Sequence, residues 1–302
     1  MAAQTRAYLY AVAAILCWAT AASAFKISLR YVDFLQLLFY SSGVSAAALF
    51  LILTAQKKLQ VLRSCSKRDY LISAGLGFLN PFLYYTVLFK AYSLLPAQEA
   101  QPLNYTWPIM LVLLSIPLLK QKIGVFSVLG VLISFGGVLV ISTRGDLTQF
   151  RMTDSTGVSL ALSSSVIWAL FWIYNLRDRR DVVVRLFLNF LFGLLYASIP
   201  LLLHSSVRVS HEFALLGAVY IGLFEMGIAF VLWLKALRLS DTTARVSNLV
   251  YGAPFLSLIV IRIAVGETIL LSTIIGLGLI VTGIVMQQCL ARPQLQSSLE
   301  TD

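Results

Sequence analysis

Residues 90–108 read KAYSLLPAQEAQPLNYTWP, and residues 235–254 read KALRLSDTTARVSNLVYGAP. Lys90-Ala91 matches Lys235-Ala236, and Tyr105 and Pro108 match Tyr251 and Pro254 after one inserted residue. The first stretch sets Gln98, Glu99, Gln101, Asn104, Tyr105 and Trp107 among Pro96, Pro102 and Pro108, between two apolar runs. A polar, aromatic, proline-broken segment beside lipid-class sequence needs a reason, and two copies of one unit facing a shared polar centre supply one. The match extends outward. Gly77 pairs with Gly222 at the Lys90–Lys235 spacing, and Gly130 and Gly137 pair with Gly276 and Gly283 at the Tyr105–Tyr251 spacing. Trp18 in AILCWATAASAF is the equivalent of Trp168 in SSVIWALFWIYN.

Composition sets the class. The 302 residues are 59% hydrophobic and 12% charged, with a mean hydropathy of +0.86. Soluble domains are about 45–50% apolar and about 25% charged, so the chain reads as an all-α integral membrane protein. The net charge of +10 does not point to nucleic acid, because most basic residues lie in short loops between apolar runs, where they orient helices. Cys17, Cys65 and Cys289 are scattered and make neither a disulfide framework nor a metal site. Tyr8–Ala24 runs on without a cleavage context and reads as a first span.

A span needs roughly 20 apolar residues, and ten segments qualify: 7–27, 33–54, 70–92, 97–119, 124–142, 157–176, 183–204, 213–237, 242–263 and 270–291. Sixteen Lys and Arg fall on one side of these spans and seven on the other, which places both termini in the cytoplasm. Ten spans divide into two five-helix repeats. An odd number per repeat makes the second enter the membrane from the opposite side, the inverted-repeat plan of transporters with a site near the midplane. The expected units are residues 1–142, an outer linker 143–156, the inverted repeat 157–291 and a polar cytoplasmic tail 292–302.

Several residues are candidates for work inside the membrane. Tyr105 and Trp107 would form an aromatic wall. They point about 200° apart on a regular helix, but Pro108 can break that regularity. Gln101 and Asn104 share a face, and Asn248 lies in the matching span; these amides either bind a substrate's polar groups or tie helices together. Trp168 and Trp172 fall on one helical face with Asn175, and Trp18 is the repeat equivalent of Trp168. Tyr84 and Tyr85 are adjacent, so one faces inward. Glu225 lies mid-span with no basic residue within a turn. An intramembrane carboxylate is a functional-site hypothesis by default, which makes Glu225 the proton-coupling candidate against a structural role bonded to a neighbouring helix. Lys90 and Lys235 read as snorkelling lysines, Arg262 with Glu267 as an outer-loop pair, and Glu99 and Arg245 as kept apart by the inverted geometry. His204 and His211 are weak metal evidence, and no metal site or cofactor is expected. GxGxxG, Walker A, HExxH and GxSxG motifs are absent, so transport would be gradient-driven or passive, and an enzyme is not expected.

The ten spans, the repeat and YGAPFLSLIVIRIAVGE (Tyr251–Glu267), with its closing Gly266-Glu267, resemble the EamA group of the drug/metabolite transporter superfamily. NYTWP, with tryptophans in the first and sixth spans, is similar to the branch that exports aromatic and neutral amino acids. That resemblance implies a central cavity lined by Trp18, Tyr84, Tyr105, Trp107 and Trp168. The polar run PAQEAQPLN departs from the more apolar fourth span usual there, which argues against a strictly hydrophobic pocket. With Gln101, Asn104, Trp172, Asn248 and Tyr251 added, these are the expected substrate-binding residues. The expected function is export of small amphipathic metabolites, foremost aromatic or neutral amino acids, from an inner or plasma membrane by alternating access. The expected partners are a small-molecule substrate and the lipid bilayer, with no nucleic acid, for a monomer. The rivals are a proton-coupled drug or quaternary-amine exporter of the same superfamily, favoured if Glu225 faces the cavity, and, lower, an intramembrane enzyme.

Overall fold

The computed structural model describes residues 3–119, 124–146, 153–209, 211–240 and 248–290, and among them every regular element is helical. In chain order these are α1 (Ala3–Ser28), α2 (Phe34–Ala55), the short α3 (Leu59–Arg63), α4 (Lys67–Leu94), α5 (Ala97–Asn104) and α6 (Trp107–Leu119). There follow α7 (Val125–Ser142), α8 (Ser155–Arg177), α9 (Val182–His204), α10 (212–239), α11 (Leu249–Val265) and α12 (Leu271–Leu290). Seven of these helices are long and apolar enough to cross a membrane. The expected fourth span is two helices, α5 and α6, broken at Tyr105-Thr106.

Helix ends are set locally. Asp33 and Gln36 form a reciprocal capping box at the start of α2, and Ser66 and Asp69 do the same for α4. Asp154 and Asp181 cap α8 and α9 by accepting from backbone amides of the first turn. In the middle of α4 the chain leaves helical geometry at Asn80 (φ −148°, ψ 121°), ahead of Pro81, whose ring disfavours the helical region for the residue before it. Around this point Phe78–Leu83 widens into π-helical turns, and Ile221–Gly227 does the same at the equivalent place in α10. The repeat therefore extends to the irregularities. Such π turns are common at functional sites.

Packing carries the same symmetry. α1 lies against α10, and its equivalent α8 lies against α4. α2 packs on the π stretch of α10, and α9 on that of α4. The reason is visible in the glycines. A Cβ on Gly77 would strike the Asn189 carbonyl oxygen, and one on Gly222 would lie 2.5 Å from the Ser41 carbonyl oxygen. Among the described helices the most extensive pairing is α7 with α12. Here Gly137 meets the Gly276 backbone while Gly283 meets the Gly130 backbone. Because Gly130 corresponds to Gly276 and Gly137 to Gly283, the contact is reciprocal, as in a two-fold interface. The order also shows that α7 and α12 run antiparallel, as inversion requires. Small residues let backbones approach where lipid offers no hydrophobic drive.

Large apolar side chains such as Leu132, Phe135, Leu202 and Ile263 are exposed on the outer surface, as expected for helices solvated by lipid. Lys90 and Lys235, equivalent residues, each place the ammonium over an aromatic ring, Phe34 at 5.2 Å and Tyr10 at 5.7 Å.

Candidate functional site

The interior holds a cavity of about 310 Å³ between the two halves, within the roughly 300–1,000 Å³ of small-molecule sites. Trp18, Tyr84, Gln101, Asn104, Tyr105, Trp107, Trp168, Trp172 and Tyr251 line it, and so does Glu225. The helix break brings Tyr105 and Trp107 together: Tyr105 ends α5, Trp107 begins α6, and the two residues no longer share one helical rotation. Pro108 sits in the first turn of α6, where its missing N–H costs nothing. The Asn248 side chain and Arg245 lie outside the described residues.

The walls are aromatic and crossed. Trp168 lies 4.5 Å from Tyr84 and 5.9 Å from Trp172, the second pair at 81°. Trp18 lies 5.3 Å from Trp233 at 59°. Rings set at such angles expose faces in several directions rather than one flat slot. Phe25 backs one end of the cavity, packed on Phe89 at 4.9 Å and Tyr92 at 5.3 Å. Leu111 and Leu237 add apolar lining. Trp233, Phe25 and Tyr92 are absent from the sequence expectation. VLWLKAL makes Trp233 look like an interfacial anchor, and only the pairing of α10 with α1 turns it inward.

The polar groups divide by what they do. Asn104 Nδ2 donates to Ser164 Oγ at 2.8 Å, and its Oδ1 accepts from the Tyr84 hydroxyl at 3.3 Å. Asn104 thus ties α5 to α8 and α4 while lining the cavity. Thr106 extends that seam to Ser165 at 3.1 Å. Tyr105 donates to the Val250 carbonyl, beside its repeat counterpart Tyr251. Gln101 Oε1 has no hydrogen-bond partner among the described residues. Glu225 is 8% exposed. Its Oε1 accepts from the Tyr85 hydroxyl at 3.1 Å, and its Oε2 has no hydrogen-bond partner among the described residues. Both tyrosines are buried, but Tyr84 lines the cavity while Tyr85 reaches past it to Glu225.

One expectation is corrected, the Arg262–Glu267 pair, and two polar residues of the 90–108 stretch lie away from the cavity. Gln98 and Glu99 do not face the cavity. Gln98 Nε2 donates to the Thr268 carbonyl at 2.8 Å, and its Oε1 accepts from Leu270 N at 2.8 Å. Glu99 pairs with Arg144 at 2.7 Å. Glu267 does not pair with Arg262. Its two carboxylate oxygens instead accept from the Ala97 and Gln98 amides at 2.8 and 3.0 Å, the free N–H groups that begin α5. Gly266 makes this possible: its φ of +79° turns the chain sharply after α11. Lys26 completes this end by donating to the Tyr92 and Leu95 carbonyls at 2.9 and 2.6 Å. A carboxylate beside a helix start can be noticed in sequence, but which helix it reaches, 170 residues away, cannot.

Comparison with known proteins agrees with this architecture. The EamA-like transporter family model matches residues 5–143 and 155–287. The chain is 30% identical over 224 residues to the aromatic amino acid exporter YddG of Ancylobacter novellus, covering 72% of this chain and 75% of that one. It is 25% identical to the uncharacterized transporter YvbV of Bacillus subtilis, over 98% of this chain and 96% of that one. A crystal structure 24% identical in sequence superposes over 95% of this chain and 98% of its own, with a TM-score of 0.69, which shows the same fold. With one matching unit in each half and a cavity between them, the chain belongs to the EamA-like transporter family and is a multi-pass membrane protein.

Proposed function

We propose that the protein exports small amphipathic metabolites, foremost aromatic or neutral amino acids, through the central cavity by alternating access. The observation that carries this reading is the box of crossed aromatic rings between two inverted units. The named activity of the Ancylobacter relative supports it. In this reading ten segments span an inner membrane with both termini cytoplasmic, residues 1–142 and 157–291 are the two moving units, and residues 143–156 link them outside. The monomer is the working unit and no cofactor takes part. The glycine contacts, the helix break at Tyr105-Thr106 and the π turns absorb the bending. A catalytic role would need a second ionisable group beside Glu225, and the described lining residues offer none apart from tyrosines.

The test is flux in proteoliposomes with labelled phenylalanine, methionine and threonine, with and without a pH gradient. Wild type is expected to move at least one of them, and Trp168→Ala to slow it roughly tenfold or more, since stacking on a buried ring contributes on the order of 1–2 kcal/mol. Normal transport by Trp168→Ala refutes the aromatic site. Glu225 at the cavity wall favours the proton-coupled reading of the same exporter. There the gradient's effect disappears in Glu225→Gln.

A further inference from the structure

Among the cavity's described lining residues Glu225 is the single acidic group, and none is Lys, Arg or His. One Glu225 oxygen is held by Tyr85, and the other is buried without a partner among the described residues. A buried acceptor left open is a place for a donor that the protein does not supply. An ammonium group is the donor that fits, because it brings N–H bonds and the opposite charge together. Trp18, Trp168 and Trp233 line the same space, and aromatic faces attract cations. Among the described lining residues a substrate carboxylate has no such reception: it meets amides, hydroxyls and the Glu225 carboxyl group. Gln101 presents an amide that serves as donor or acceptor by rotation, so it does not decide the sign.

We propose that Glu225 is the subsite for a substrate ammonium, and that the cavity therefore prefers aromatic amines lacking a carboxylate over the corresponding amino acids. Tyr85 is the positioning residue, since its hydrogen bond holds one carboxylate oxygen and leaves the other without a partner among the described residues. The inference rests on the exporter reading for the role of the cavity and shifts its foremost substrate from amino acids to the amines that lack their carboxylate.

The experiment uses the full chain in lipid nanodiscs and proteoliposomes, with three probes that share one ring system: tryptamine, tryptophan and indole-3-propionate. Binding and counterflow are measured at one pH for wild type, Glu225→Gln and Glu225→Asp. The expected order is tryptamine, then tryptophan, then indole-3-propionate, with tryptamine bound roughly tenfold or more tightly than tryptophan. Glu225→Asp keeps the order, and Glu225→Gln abolishes it while still binding the indole ring. Tryptophan bound as tightly as tryptamine in wild type overturns the proposal and leaves the amino-acid exporter standing. An unchanged amine preference in Glu225→Gln also overturns it. If no probe binds or moves, both the proposal and the aromatic-exporter reading fall. Because Glu225→Asp keeps the charge and Glu225→Gln the size, a folding defect in one does not decide the result, and the wild-type ranking alone suffices to reject the idea.

Discussion

Replacing Glu267 by alanine tests how the two halves are joined. Glu267 follows α11 in the second half, and its carboxylate holds the first two amides of α5 in the first half. Pro96 carries no N–H, and its carbonyl takes the Glu99 and Ala100 amides at 3.1 and 3.0 Å. The Ala97 and Gln98 amides therefore depend on Glu267. A hydrogen bond to a charged group contributes about 1.5–3 kcal/mol. Glu267 is half-buried, so water replaces part of what is lost, and two bonds at the low end leave a net cost of about 2 kcal/mol. That corresponds to roughly thirtyfold in the local opening equilibrium. Hydrogen–deuterium exchange reads this directly, because the amides at stake are the ones that exchange. Residues 95–100 of Glu267→Ala are expected to exchange roughly thirtyfold faster, while the core of α2 keeps its wild-type rate. Unchanged protection at Ala97 and Gln98 would refute the reasoning, since it would mean that these amides are held by something else.

Three further outcomes follow from single contacts. Gly137→Ala, whose methyl would meet the Gly276 backbone and lie 2.9 Å from Ile280, is expected to lower thermal stability in detergent by about 1–3 kcal/mol, whereas Gly136→Ala, with nothing within 4 Å, stays within about 1 kcal/mol of wild type; equal melting of the two would remove the glycine seam as an explanation. Arg144→Ala strands the Glu99 carboxylate, 1% exposed, and because Arg144 itself is 49% exposed the cost is about 1–2 kcal/mol; adding Glu99→Gln should recover most of it, and a double variant as weak as the sum of the singles argues against the pair. The Asp181 carboxyl lies in the loop before α9. Burial pushes it up, but the Lys58 ammonium at 2.7 Å and the Val184 and Val183 amides outweigh burial and hold it below its ordinary 3.8. A depressed carboxylate stabilises above its unfolded value and loses that contribution as pH falls through the lower folded one. Asp181→Asn is thus expected to melt about 0.5–1 kcal/mol below wild type at pH 7, with the gap closing below pH 3.8; a gap independent of pH contradicts this.

Much of the site was legible because its residues break the local rule. Trp18, Trp168, Trp172 and Glu225 stand out in lipid-class sequence, where an aromatic away from the interface or a carboxylate needs a reason. The polar run at 96–104 stood out equally, but its members part company. Gln101 and Asn104 line the cavity, whereas Gln98 and Glu99 fasten α5 to distant segments. Sequence polarity marks a residue as needing partners and is silent on whether those partners are protein or substrate. Trp233 was hidden for the opposite reason, since a tryptophan two residues from a lysine near a span end already has an ordinary explanation.

The sequence by itself determined that the chain is a helical membrane protein built from a repeat, because apolar length and the spacing of Gly77, Gly130 and Gly137 against Gly222, Gly276 and Gly283 are properties of the chain alone. Tertiary structure decided what those signals touch. It broke the fourth segment at Tyr105-Thr106 so that Tyr105 and Trp107 share one wall, and sent Glu267 to cap α5 instead of pairing with Arg262. It also gave Glu225 one tyrosine and one open oxygen. These are relations between segments up to 170 residues apart. Periodicity and composition report how each helix meets its own neighbours in the chain, and the direction of a side chain across a packed interface is set only when the helices are brought together.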